Sequence, residues 1–198
     1  MKKSILIFTL LTCLVATTFA ADEKKEEKWK KPSSSQICFV ARVVLQNPLN
    51  IDFYAIGLNA VDKKDDPLRV GFVTKETDDG SFPYYGVLGE FFQANIAKKE
   101  LKDAENGFYL PTFGVQFFNR RGAYFHLPVE MDISYPSDAK YVYLGTYIFT
   151  LGNSDLTVKS VRRVDEYEAA KKALTQKLGQ EVTLVRAELA EHKETKKK

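Results

Sequence analysis

The chain has 198 residues, of which 29 are Lys or Arg and 26 are Asp or Glu, so its formal net charge is +3. Nucleic-acid-binding proteins concentrate basic residues on one face, and this balanced composition argues against that class. The length is sufficient for one domain with a sizeable hydrophobic core and short tails.

The first twenty residues have the pattern of a secretory signal peptide. Residues 1–3 are Met-Lys-Lys, residues 4–21 are uncharged and largely apolar, and Thr18-Phe19-Ala20 fits a small-residue cleavage site. The sequence therefore predicts a signal peptide at 1–20 and no transmembrane segment after its removal. We expect an exported protein, either periplasmic or at the cell surface.

The two cysteines bear on the same question. Cys13 lies inside the predicted signal, which leaves Cys38 without an intramolecular partner. The apolar neighbours of Cys38 predict a buried thiol that behaves as a small hydrophobic side chain. The alternative for Cys13 is lipidation, because residues 10–13, Leu-Leu-Thr-Cys, resemble a lipobox. The protein would then be a lipid-anchored surface lipoprotein that contacts host or envelope partners.

Residues 21–35 form a charged segment with a Pro-Ser end, and they are predicted to be a disordered leader. This leader contains Trp29, the only tryptophan, which we interpret as an exposed side chain in a linker. The alternative is an anchor for a partner.

The strand pattern begins at Gln36. In the predicted strand at 141–151 both faces are apolar, which is typical of a central strand. The basic residues Lys159, Arg162 and Arg163 place the predicted strand at 156–164 near a sheet edge. Apolar residues alternate with polar ones from Phe125 to Ile133, as in a half-buried antiparallel strand. The predicted strands are 36–46, 51–58, 68–75, 83–96, 108–118, 123–134, 141–151 and 156–164. The segment 83–96 is predicted to be either one bent strand or two short ones.

A helix is predicted at about 166–178. Asp165 is the expected N-cap, with Glu168 in the capping-box position and Gly179 after the last turn. Its apolar stripe is expected to lie against the sandwich or across its open end, and it consists of Tyr167, Ala170, Leu174 and Leu178. A short strand at 182–185 and a basic tail at 191–198 follow.

About eight short strands and one late helix predict a mainly β fold. Turn signals recur about every ten residues, which favours an antiparallel, Ig-like or transthyretin-like β-sandwich at 36–190 with a C-terminal α-helix. A parallel α/β sheet would need helices between the strands.

Four aromatic side chains are the best candidate for a binding surface. Because side chains alternate between the two faces of a strand, these four share one face of strand 141–151, and Val142, Leu144 and Ile148 lie on the other. One hypothesis is that this aromatic face lines a groove for an apolar ligand, a glycan or another protein. The interpretation that we favour is that the helix or the opposing sheet covers it as core. The four are Tyr141, Tyr143, Tyr147 and Phe149.

No catalytic motif is present, and no catalytic residue, metal site or cofactor is predicted. The alternative is a hydrolase or isomerase that uses His126 with a neighbouring carboxylate, Glu130 or Asp132, on the same strand face. The acidic clusters at 62–66, 78–79 and 103–106 are interpreted as surface turns, with weak calcium binding as the alternative.

Two segments carry a resemblance. Val-Leu-Gly-Glu-Phe-Phe-Gln-Ala-Asn-Ile at 87–96 resembles the Leu-Pro-x-Gly-x-Tyr segment of transthyretin-like or carboxypeptidase-regulatory-like domains, although Leu88-Gly89 replaces the Pro-x-Gly core. Tyr-Val-Tyr-Leu-Gly-Thr-Tyr-Ile at 141–148, followed by Asp-Glu-Tyr-Glu-Ala-Ala, is similar to the ends of uncharacterised exported bacterial proteins and lipoproteins. The resemblance implies a non-catalytic envelope domain and assigns no functional residue.

The sequence thus predicts an exported, non-enzymatic bacterial envelope protein that acts as a binding or structural accessory module. Its expected partner is another envelope protein or an extracytoplasmic ligand.

Overall fold

The computed structural model describes residues 29–46, 53–61, 67–68, 88–101, 107–117, 124–154 and 157–192. Ten strands and two helices lie within these ranges. The strands are β1 (Gln36–Gln46), β2 (Phe53–Val61), β3 (Pro67–Leu68), β4 (Phe91–Ala97), β5 (Gly107–Phe117), β6 (Tyr124–Ser134), β7 (Tyr141–Leu151), β8 (Val158–Val164), β9 (Val185–Arg186) and β10 (Glu188–Glu191). The helices are α1 (Lys98–Leu101) and α2 (Tyr167–Leu178).

The strands form two sheets. The first sheet has the order β4-β1-β7-β8, with β9 beside the start of β7, and the second has the order β10-β6-β5-β2-β3. Most strand pairs are antiparallel. The predicted mainly β sandwich with a C-terminal helix is therefore confirmed.

The first sheet nevertheless contains parallel pairs. β1 runs parallel to β7, with Cys38 opposite Tyr141, and β9 also runs parallel to β7. A parallel pair needs a long connection, and here most of the second sheet and β4 lie between β1 and β7 in the chain. β7 is buried on both faces almost throughout, which confirms its prediction as a central strand.

The main core lies between the two sheets. Phe39 of β1 meets Phe108 of β5 edge to face, with ring centroids 5.3 Å apart, and Phe92 of β4 meets Phe113 of β5 at 6.3 Å. Such geometry adds to the stabilisation that burial of the rings provides. From β6, Leu127, Val129 and Ile133 enter the same core, as their alternation predicts; Phe125 and Met131 pack against it while partly exposed.

α2 lies on the outer face of the first sheet, where it closes a second, smaller cluster. Ala170 and Leu174 are fully buried there, and Tyr167 and Leu178 are partly buried, so the predicted apolar stripe is confirmed. The helix ends at Gly179, whose φ of 67° is the expected left-handed C-cap.

The start of α2 differs from the predicted capping box. The N-cap is Glu166, whose side chain caps no backbone N–H, while the Asp165 carboxylate accepts a hydrogen bond from the Tyr167 N–H at 3.1 Å. Glu166 is not available as a cap because its carboxylate is bound to the first sheet.

Two predictions at the ends of the domain also need correction. Trp29 is half-buried against the second cluster and is not an exposed linker side chain. The neighbouring Lys30 carbonyl accepts a hydrogen bond from Asn95 at 2.9 Å, whereas residues 21–28 lie outside the described part of the chain.

The predicted strand at 182–185 is replaced by β9 and β10. Of the predicted strand at 68–75, only Leu68 is described, in β3.

Candidate functional site

A bulge in β7 divides the four aromatic residues predicted to share a face. Val40 of β1 lies opposite Tyr143, but the next residue, Ala41, lies opposite Gly145. One extra residue in a strand reverses the alternation beyond it. Tyr141 and Tyr143 therefore face outward under α2, whereas Tyr147 and Phe149 face the core between the sheets. The prediction of one shared aromatic face is wrong.

The outward pair is covered by the helix. Tyr143 is fully buried and meets the ring of Tyr167 edge to face at 6.1 Å. Its hydroxyl accepts a hydrogen bond from the backbone N–H of Glu166 at 2.9 Å. Tyr141 is 6% exposed, and burial, followed by the nearby Cys38, raises its pKa.

The inward pair belongs to the main core. Tyr147 meets Phe113 edge to face at 5.1 Å, and its hydroxyl donates to the Leu144 carbonyl at 3.2 Å. Burial raises the pKa of Tyr147 to about 12, although the charge and hydrogen bond of Arg163 act in the opposite direction. Phe149 is fully buried. The helix and the opposing sheet thus cover these aromatic side chains, as the favoured interpretation predicts.

A network of polar side chains joins α2 to the first sheet. Arg42 donates to both carboxylate oxygens of Glu166, at 3.2 and 3.0 Å, and also to the Gly89 carbonyl at 2.7 Å. The hydroxyl of Thr146, a residue only 1% exposed, donates to Glu166 at 2.7 Å. These hydrogen bonds tie β1 and β7 to the residue that precedes the helix.

The electrostatics of this network favour an ionised Glu166. Partial burial of the carboxylate raises its pKa, but the hydrogen bonds from Thr146 and Arg42 and the charge of Arg42 outweigh burial, and the net pKa is lowered. Both oxygens of the Glu166 carboxylate are thus engaged by Arg42, and one of them also by Thr146. We interpret this network as the anchor of α2.

A cleft of about 470 Å³ lies beside the start of β7. One wall is the turn before β7 together with Tyr141, and the other is the segment that joins α2 to β9. The lining offers a carboxylate, an ammonium, an amide and a hydroxyl beside apolar side chains. It includes Asp138, Lys140, Tyr141, Gln180, Val182, Thr183 and Val185. Tyr141 is thus the predicted binding residue that borders a cavity.

Asp132, one of the two acidic residues predicted to work with His126, has another partner in the structure. His126 is exposed on β6, and its Nδ1 lies 3.4 Å from the Thr112 hydroxyl. Asp132 instead bonds Nδ1 of His192 at 2.9 Å, and the His192 ring stacks on Tyr109 at 3.8 Å. This second histidine is brought to β6 by β10, a strand that the sequence pattern does not predict.

Cys38 is fully buried, as predicted, and burial raises its pKa to about 12. Its Sγ lies 3.8 Å from Oε1 of Gln93. In the part of the chain that the structure describes, no three His, Cys, Asp or Glu side chains are grouped to hold a metal ion. Cys13 and the acidic clusters at 62–66, 78–79 and 103–106 lie outside the described residues.

The comparisons with known proteins give no match to a protein-family model, a curated protein or a solved structure. The resemblance to transthyretin-like domains therefore stays a prediction. The helices of the described residues include none long and apolar enough to cross a membrane.

Two features of the site could not be found from the strand pattern. The Arg42–Glu166 contact joins residues 124 positions apart, and its one signal was a charged residue in the otherwise apolar β1. The cleft depends on the path of the chain after Gly179, which periodicity does not determine.

Proposed function

We propose that this chain is an exported β-sandwich that acts, without catalysis, as a binding or structural accessory module of a bacterial envelope. Export is supported by the signal-like residues 1–20. The binding role is supported by one observation, the cleft beside Tyr141 with its mixed polar and apolar lining. Such a lining suits an extracytoplasmic ligand, or a loop of another envelope protein, that has polar groups around an apolar face.

The proposal is tested with a substitution that fills the cleft with a large side chain. Thr183 is exposed in the cleft wall, so Thr183→Trp places a large side chain there without opening the core. Ser154→Trp is the matched control, because Ser154 is also small, polar and exposed but follows the opposite end of β7. Tagged wild-type and variant proteins are cross-linked in the cell envelope of the source, purified and read by mass spectrometry.

We expect a partner that the wild type and Ser154→Trp retain and Thr183→Trp loses. An identical set of partners for all three proteins would contradict a role for the cleft. The same samples test export, because an intact mass of residues 21–198 supports signal cleavage, whereas an acyl addition on Cys13 supports the lipid-anchored alternative.

A further inference from the structure

The cleft beside the start of β7 presents two opposite charges on one wall. Asp138 and Lys140 both line it and both are exposed, whereas Ala139 between them is buried. In the described part of the chain, no ion pair or hydrogen bond holds either charged side chain. Glu181, beside the opposite wall in the sequence, is already paired with Lys171 at 3.4 Å. A carboxylate and an ammonium therefore remain for a ligand.

The opposite wall adds neutral hydrogen-bonding groups. Lys31 donates to Oε1 of Gln180 at 2.6 Å. Because an ammonium group can only donate, this contact fixes the orientation of the amide and leaves its N–H groups for an acceptor. Thr183 contributes a hydroxyl to the same lining. These groups suit the carbonyl and carboxylate oxygens of a ligand.

Apolar surface lies between the polar groups. Val182 and Val185 line the cleft and are partly buried, the first against the cluster under α2 and the second against the core between the sheets. The cleft volume of about 470 Å³ lies within the range of ligand pockets, roughly 300–1,000 Å³. There is therefore room for a ligand that has an apolar body as well as charged ends.

The two charges select among ligand classes. A simple anion would gain the attraction of Lys140 but meet repulsion from Asp138, and a simple cation would meet the reverse. An uncharged ligand, such as a neutral sugar, would pair with neither charge. A ligand with both an ammonium and a carboxylate is complementary to both side chains.

We propose that the cleft binds a zwitterionic ligand with an apolar body, either a short apolar peptide with free termini or an apolar amino acid. The ammonium group of the ligand pairs with Asp138 and its carboxylate with Lys140, while Gln180 donates to a ligand oxygen. The apolar side chains of the ligand cover Val182 and Val185. This inference rests on the proposed function, because it names the ligand class of the same cleft.

The test compares small ligands that differ chiefly in charge. Leucyl-leucine carries both charges, N-acetyl-leucyl-leucine lacks the ammonium, and leucyl-leucine amide lacks the carboxylate. Isothermal titration calorimetry with the full chain measures binding, and amide chemical shifts in NMR spectra locate it. We expect leucyl-leucine to bind roughly twofold to fivefold more tightly than either capped peptide, which is the effect of one exposed ion pair. It should also shift the amide signals of residues 138–141 and 180–185.

Free leucine distinguishes the two sources of the same chemistry. Tighter binding of leucyl-leucine assigns the cleft to peptides, and tighter binding of leucine assigns it to amino acids.

Two substitutions assign the two charges. In Asp138→Asn, acetylation of the peptide should no longer weaken binding, and in Lys140→Gln, amidation should no longer weaken it. Lys172→Gln is the matched control, because Lys172 is also exposed but lies on α2 and does not line the cleft. This variant should keep both differences. Circular dichroism confirms that each variant is folded before its affinity is compared.

Three results would overturn the proposal. The first is that neither leucine nor leucyl-leucine binds at about 10 mM. The second is equal binding of leucyl-leucine and both capped peptides. The third is that Asp138→Asn and Lys140→Gln keep both differences.

The cleft-filling variant Thr183→Trp separates this inference from the proposed function. If no zwitterion binds but Thr183→Trp still loses its envelope partner, the ligand class is wrong and the cleft keeps its binding role. If leucyl-leucine binds wild type and Thr183→Trp equally, its site lies outside the cleft and the inference is also wrong.

Discussion

Gly145 lies at the bulge in β7, beyond which the alternation of inward-facing and outward-facing side chains is reversed. Its φ is 119°, a conformation that costs glycine little and other residues much more. A Cβ at this position would lie 2.6 Å from Nε of Arg163, whose side chain also hydrogen-bonds Tyr147. The backbone conformation therefore requires a residue without a side chain, whereas the exposed, flexible side chain of Arg163 can move away from an added Cβ.

We expect Gly145→Ala to lower the free energy of unfolding by about 2–3 kcal/mol. The matched control is Gly179→Ala, which also has a positive φ, of 67°, but has open space around the added Cβ. This variant should lose only about 1 kcal/mol, since a φ of 67° lies in the left-handed region that other residues adopt at lower cost than a φ of 119°. Urea unfolding of both variants measures the difference, and equal losses would show that the backbone conformation at position 145 is no more restrictive than the one at position 179.

The positions of the four aromatic side chains of β7 show what its pattern of apolar residues can predict. Its composition correctly predicts a strand buried on both faces, because apolar side chains occupy both parities. It does not locate the bulge, because period two assumes an uninterrupted strand. A glycine within a strand is a signal of a bulge, so Gly145 could have indicated that β7 is interrupted. Which side chains face the core beyond the bulge depends, however, on the register of β7 with β1.

At the level of elements, α2 is held by packing and by the Glu166 network. The packing was predictable, since the stripe from Tyr167 to Leu178 follows helical spacing. The network was not, because it depends on which strands lie beneath the N-terminus of the helix. β10 was missed for a similar reason: only its pairing with the edge of β6 makes Glu188–Glu191 a strand.

The ionised Glu166 should stabilise the fold in a pH-dependent way. Its pKa in the folded protein lies below the ordinary value of 4.5, so its contribution is complete above about pH 4.5 and is lost as the pH falls through the folded-state pKa. At neutral pH, Glu166→Gln should cost about 1–2 kcal/mol, because it removes the charge that accepts from Arg42 and Thr146. The difference between wild type and variant should shrink in acid.

Asp165→Asn is the control for this prediction. Asp165 also pairs with an arginine near the start of α2, but both side chains of that pair are more than half exposed. Exposed pairs contribute about 0–1 kcal/mol, so this variant should lose less stability at neutral pH. Urea unfolding at neutral pH and at about pH 3 tests both variants. An equal cost of Glu166→Gln at the two pH values would contradict the role of its charge.

At the scale of the whole molecule, β1 and β7 join two hydrophobic layers. Val40 and Tyr143 of these strands face the cluster under α2, while Phe39 and Leu144 face the core between the sheets. The parallel β1–β7 pair at the centre was not predictable from local pattern, because its partners are about one hundred residues apart and no turn signal links them. Fold class follows from strand composition, whereas this pairing follows from which strands can bury both faces.

Because the two layers share these strands, they should unfold together. Trp29 is the only tryptophan and packs against the outer cluster, so its fluorescence reports that layer, whereas far-UV circular dichroism reports mainly the strands. We expect one denaturation midpoint from both probes, since loss of the outer layer would expose buried side chains of β1 and β7. Trp29→Phe is the control and should remove the fluorescence change while leaving the dichroism midpoint nearly unchanged. An earlier fluorescence transition would instead mean that the outer layer unfolds as a separate unit.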